Sequence, residues 1–150
     1  MTSGCQVVSI EPVLLAVAEA EMDRREIGSR IRSMFDTVYA WVKSAPVRQV
    51  GHNYALYDKG LGRELLVRVG FPVSGPFSDS ATVKCFSLGA GRAARAVHVG
   101  PYSELHRTYA ELHSWCRRER LRISSQSWEV YGDWQEDASR LETELYLRLE

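Results

Sequence analysis

Residues 98–118, HVGPYSELHRTYAELHSWCRR, decide how this chain is read. A strand over Arg95–Val99 must end at Gly100-Pro101, because proline donates no ladder hydrogen bond and glycine turns the chain freely. Leu105, Tyr109, Leu112 and Cys116 then recur three and four residues apart, which predicts a helix starting at Tyr102 or Ser103. Arg117, Arg118 and Arg120 stand near its end, where the helix dipole favours cations.

The same pattern lies upstream. Over Glu26–Ser44, Ile27, Ile31, Met34, Val38, Trp41 and Val42 form a second apolar stripe, and Pro46 forbids its continuation. Trp41 and Trp115 close the two helices, 115 − 41 = 74 residues apart, and the same offset carries Tyr54 onto Trp128 and Tyr57 onto Tyr131. Glu64 meets Glu142 at 142 − 64 = 78, so the second half holds four extra residues in its last turn. Around the helices the chain reads as strands: Val7–Ile10, Val13–Ala20, His52–Tyr57, Glu64–Phe71, Thr82–Leu88, Arg95–Val99, Ser127–Tyr131 and Leu141–Leu149. Asp58-Lys59-Gly60-Leu61-Gly62 is a turn between two of them, and Gly89-Ala90-Gly91 reads as a hairpin turn between two others. Leu141, Thr143, Leu145, Leu147 and Leu149 share one face of the last strand.

The expected fold is therefore α+β, a single domain over residues 1–150. Two pseudo-twofold-related strand-helix-strand-strand repeats, about 5–75 and 80–150, make an antiparallel sheet with both helices on one face and a ligand cleft on the other. With Trp128 and Val130 packed under the helices, Glu129 and Tyr131 would face that cleft.

Composition narrows the function. Lys+Arg and Asp+Glu both number 19, and the zero formal charge excludes a broad basic surface for nucleic acid. No apolar run approaches the ~18 residues of a membrane span, and Val13–Ala18, preceded by Glu11 and Pro12, is no signal peptide. Cys5, Cys85 and Cys116 cannot all pair and follow no metal-ligand spacing, so a reducing, cytoplasmic setting is expected, with no metal and no cofactor. His106 and His113 are seven residues apart, too far for shared ligation, and Cys116 sits on the apolar stripe as a small hydrophobe.

His98 with Gly100-Pro101-Tyr102, then Leu105, Tyr109, Leu112 and Trp115, then Trp128-Glu129-Val130-Tyr131 and Thr143-Glu144-Leu145-Tyr146-Leu147 resemble the GyrI-like small-molecule-binding domain. That domain also serves as the effector-binding part of multidrug-responsive transcription regulators. Two departures stand out: Gly132-Asp133-Trp134 where the family usually has Asp-Pro, and Arg148 where a proline is often found. The resemblance implies a pocket for bulky, flat, often cationic compounds, with one buried acid among aromatic rings. Glu129 matches that acid, and Tyr131, Tyr39, Tyr57, Tyr102 and Tyr146 are the candidate wall. By the repeat, Glu129 falls on Ala55, so only one half carries the acid. Aromatic faces attract cations, a partly desolvated carboxylate adds the counter-charge, and burial among rings is expected to raise that carboxylate's pKa.

Three functions follow as expectations. The first is a stand-alone binding protein for hydrophobic, cationic small molecules, with no room for a helix-turn-helix and no direct contact with nucleic acid or membrane. The second is a hydrolase of strained cyclopropane-type genotoxic compounds, as the resemblance allows, with Glu129 as base and Tyr131 or Tyr57 as donor. The third is a protein-interaction role such as inhibition of gyrase, for which the sequence offers no distinctive patch.

Overall fold

The computed structural model describes residues 2–60 and 62–150, with side chains from residue 4 onward, so Leu61 of the predicted turn lies outside the described residues. Eight strands and two helices follow in the order β1 (Thr2–Ile10), β2 (Val13–Met22), α1 (Ile27–Val42), β3 (Tyr54–Lys59), β4 (Leu65–Pro72), β5 (Lys84–Leu88), β6 (Gly91–Val99), α2 (Leu105–Arg118), β7 (Ile123–Tyr131) and β8 (Glu142–Leu149). The described pairings between them are antiparallel, so the fold is α+β. The chain packs as two units, one of Pro12–Gly89 and one of the residues up to Glu11 joined to Ala90–Glu150.

In the unit of Pro12–Gly89 the strand order is β3-β4-β2-β5, and α1 packs on β2 and β4. A short capping box starts this helix: the Asp23 carboxylate accepts from the Arg25 amide at 2.9 Å, and Glu26 Oε1 accepts from the Asp23 amide at 3.0 Å. Ala16, Ala18 and Ala20 lie opposite Phe71, Val69 and Val67, and these pairs form the face beneath Met34 and Val38. Alanine on the strand under the helix lets the helix backbone approach closely. Gly70 serves a similar end between strands, since a Cβ there would sit 1.7 Å from the Ala16 carbonyl oxygen.

The other unit repeats this plan in the order β7-β8-β6-β1, with α2 packed on β6 and β1. Ala94 and Ala96 of β6 and Leu145, Leu147 and Leu149 of β8 form its core with Leu112 and Cys116 of α2. Burial pushes the Cys116 thiol up, as expected of an inert core cysteine. The final strand alternates as its sequence predicts.

One feature departs from the sequence reading. β5 pairs with β2, from Val13↔Leu88 to Val17↔Lys84, whereas β6 pairs with β1 and β8. Gly89-Ala90-Gly91 therefore closes no hairpin but passes the chain from one unit to the next. Each unit takes its outermost strand from the other sequence repeat, β5 in one unit and β1 in the other. Short connections allow hairpins without requiring them, and here the strands on either side find different partners.

Candidate functional site

The candidate acid sits on the helix side of its sheet. Glu129 of β7 lies opposite Leu145 of β8, and Leu145 belongs to the core beneath α2. Tyr131 lies opposite Thr143 on the same face, while Trp128 lies opposite Tyr146 on the other. This reverses the expected orientation, in which Trp128 and Val130 were to pack under the helix. The reason is local: Trp128 finds its burial on the far face, stacked on Tyr146 at 5.2 Å with the Arg148 guanidinium 5.1 Å from its ring centre.

Glu129 is only 5% exposed. A buried carboxylate needs donors, and two tyrosines supply them. Tyr109 of α2 donates its hydroxyl to Oε2 at 2.6 Å, and Tyr131 donates to Oε1 at 2.5 Å. Both are charge-assisted bonds to the ionised form, each approaching a different oxygen. Tyr102 completes the group, its ring edge-on to Tyr131 at 5.5 Å and 44% exposed. Burial pushes its phenol up from the ordinary value. The result is one acid with three rings around it, two of them anchored to it.

The turn that carries Tyr102 is held from below. Gly100, at φ 137°, takes a left-handed conformation that few side chains tolerate, and its amide donates to the Leu141 carbonyl at 2.8 Å. His98 is 1% exposed, with Nε2 3.0 Å from the Pro101 carbonyl oxygen and Nδ1 2.7 Å from Thr108 Oγ1. A carbonyl only accepts, so Nε2 carries a proton and donates it to Pro101, while Nδ1 is hydrogen-bonded to the Thr108 hydroxyl. This histidine ties the end of β6 to the turn and to α2.

The remaining candidates are placed elsewhere. Tyr146 points away from Glu129, on the opposite face of its sheet. It donates to Glu144 Oε1 at 2.8 Å and accepts from Arg95 Nε at 3.2 Å, and burial leads the causes that push its phenol up to about 12. Tyr39 and Tyr57 belong to the other unit. Tyr39 stacks on Phe71 at 5.5 Å and accepts from Asn53 Nδ2 at 2.5 Å, while Tyr57 faces α1 opposite Val67. Of the six predicted residues, Glu129, Tyr131 and Tyr102 come together.

Tyr109 was missed as a site residue because it occupies the apolar stripe of α2. A signal existed: the 74-residue offset carries Tyr109 onto Phe35 and Glu129 onto Ala55, so the acid and its helical donor occur together in one half and are both lost in the other.

Comparison with known proteins identifies the family of this fold. The family model of the GyrI-like small-molecule-binding domain matches residues 5–150. The chain belongs to that family. No curated protein matches the sequence of this GyrI-like domain. Among solved structures, the EcmrR C-terminal domain is similar at TM-score 0.85 with 17% identity, covering 98% of this chain and 97% of that one. Against EcmrR in its complex with DNA the TM-score is 0.84 at 18% identity over 98% of this chain, which spans only 57% of that longer chain. SAV2435 bound to tetraphenylphosphonium is similar at TM-score 0.74, 12% identity, covering 99% of this chain and 94% of the other. A hydrolase from Listeria innocua follows at TM-score 0.64, 15% identity, covering 97% and 91%. At these identities the likeness is one of fold.

Proposed function

We propose that this GyrI-like domain binds hydrophobic cations at Glu129, with Tyr131, Tyr102 and Tyr109 as the surrounding rings. One observation carries the reading: a carboxylate 5% exposed, each of whose oxygens accepts from a tyrosine hydroxyl. Hydroxyl donors orient the acid without bringing a positive charge of their own, so an incoming cation meets an attractive field in a poorly solvated place. The rings add attraction to the same cation through their faces. Lipophilic cations lose little hydration on entry, which favours them over small inorganic cations. The SAV2435 neighbour bound to tetraphenylphosphonium supports the choice of probe. Calorimetric titration with tetraphenylphosphonium is expected to give saturable one-site binding, and no saturable heat across a varied panel of lipophilic cations would sink the proposal. Tyr39, Tyr57 and Tyr146 are left out of the site proposed here. A solution role as a sequestering or ligand-presenting protein follows from the same reading.

A second reading rests on the same geometry. Glu129 with two phenolic donors is the minimum for activating water while stabilising a developing negative charge. Strained cyclopropane-bearing electrophiles are the substrate class in question, and the hydrolase among the structural neighbours keeps the reading open. Product analysis separates it from binding: unchanged substrate after prolonged incubation leaves binding alone.

A further inference from the structure

Thr143 lies near the start of β8, on the face that carries Glu129. It stands opposite Tyr131 on one side and His98 on the other, one rung along β8 from the Leu145↔Glu129 pair. Its side chain is 0% exposed, and among the described residues its Oγ1 has no hydrogen-bond partner. A buried hydroxyl without a partner is costly, and native proteins tolerate few of them. His98 cannot satisfy it, because both ring nitrogens are engaged with Pro101 and Thr108. Replacing this threonine by valine of the same shape would remove the cost, yet the chain carries the hydroxyl here.

The position gives the hydroxyl a use. Directly opposed residues of antiparallel strands have Cβ atoms about 4.5–5.5 Å apart, and diagonal ones about 7–8 Å apart. Thr143 is thus the direct neighbour of Tyr131 and the diagonal neighbour of Glu129. A ligand that reaches Glu129 must displace one of the two hydroxyls that cover its oxygens, and the route on the strand side is through Tyr131 at Oε1. Displacing Tyr131 also uncovers the side chain directly opposite it. The charge and the unpaired hydroxyl are then offered to the same guest, one next to the other.

Resting on the cation-binding reading above, we infer that Thr143 is a specificity-determining residue, selecting cations that carry N–H groups (protonated amines, amidines or guanidines) over fully substituted onium ions. One N–H of the guest meets the Glu129 carboxylate and a second is accepted by Thr143 Oγ1. A quaternary ammonium or phosphonium ion can take only the first, purely electrostatic, interaction.

The test uses the full chain and a pair of probes matched in shape, dibenzylammonium and dibenzyldimethylammonium, titrated calorimetrically at pH 7. Wild-type protein is expected to prefer dibenzylammonium by roughly tenfold, the scale of one hydrogen bond to a charged donor. Thr143→Val should abolish that preference by weakening dibenzylammonium alone, and Thr143→Ser should keep it. If the valine variant fails to fold, Thr143→Ala removes the same hydroxyl, and the wild-type preference needs no variant. Equal affinity of the wild type for both probes, or equal loss of both in Thr143→Val, overturns the assignment and leaves cation binding standing. Failure of both probes to bind wild-type protein overturns the cation-binding reading and this inference with it.

Discussion

Glu129 shows how much a single position can demand of its surroundings. The acid is buried, its two oxygens are approached by different hydroxyls, and one donor comes from a helix while the other comes from its own strand. Tyr109→Phe keeps the ring that packs against the α2 core and removes one donor, so it should destabilise the fold by about 1.5–3 kcal/mol, as for a buried bond to a charged group. Urea denaturation measures this, and an unchanged midpoint would mean the bond contributes nothing. Tyr146 offers a second test on the opposite face. Its phenol holds its proton to about 12 in the folded chain, whereas an unfolded tyrosine ionises near ~10. The folded state therefore keeps a proton that the unfolded chain releases, and this stability, full below pH ~10, is lost as pH rises through about 12. Urea midpoints across that window should fall less steeply for Tyr146→Phe than for wild type; equal slopes would assign the loss to other groups. The sequence made Glu129 visible through its motif but hid Tyr109 and Thr143. A tyrosine on an apolar stripe and a threonine on an alternating strand both read as ordinary packing until the register is known.

At the scale of elements, periodicity carried most of the information. Both helices form where their stripes predict, and α2 buries Leu112 and Cys116 as expected. Leu112→Ala should accordingly cost ~2–5 kcal/mol, and a change within about 0.5 kcal/mol would place that residue outside the core. Gly70→Ala should be at least as damaging, because its new methyl would overlap the Ala16 carbonyl and force β2 and β4 apart. A soluble, native-like Gly70→Ala protein with unchanged melting temperature would contradict that packing. The face of β7 was not legible. Alternation says that Glu129 and Tyr131 share a side, not which side, and ranking Trp128 as the natural helix-facing residue ignored the stacking available on Tyr146 and Arg148.

The whole molecule is two copies of one plan with their first strands exchanged. The 74-residue offset revealed the repeat because equivalent helices keep equivalent residues. It could not reveal the exchange, since a strand's period specifies its faces and not its partner. Native-state hydrogen exchange reads the partners: amides of β1 should open together with those of β6, and amides of β5 with those of β2. Opening of β1 together with β2 would favour the unexchanged repeats. The repeat also isolates the function, because Ala55 and Phe35 stand where Glu129 and Tyr109 stand in the other half. Only one unit therefore carries the charge on which the proposed function depends. The measurement that tests this most directly is paired calorimetry of wild type and Glu129→Gln with tetraphenylphosphonium and with neutral tetraphenylmethane-like probes of similar size. The glutamine variant should bind the cation about ten- to hundredfold more weakly and the neutral probe unchanged; equal binding of the cation by both proteins would contradict the account.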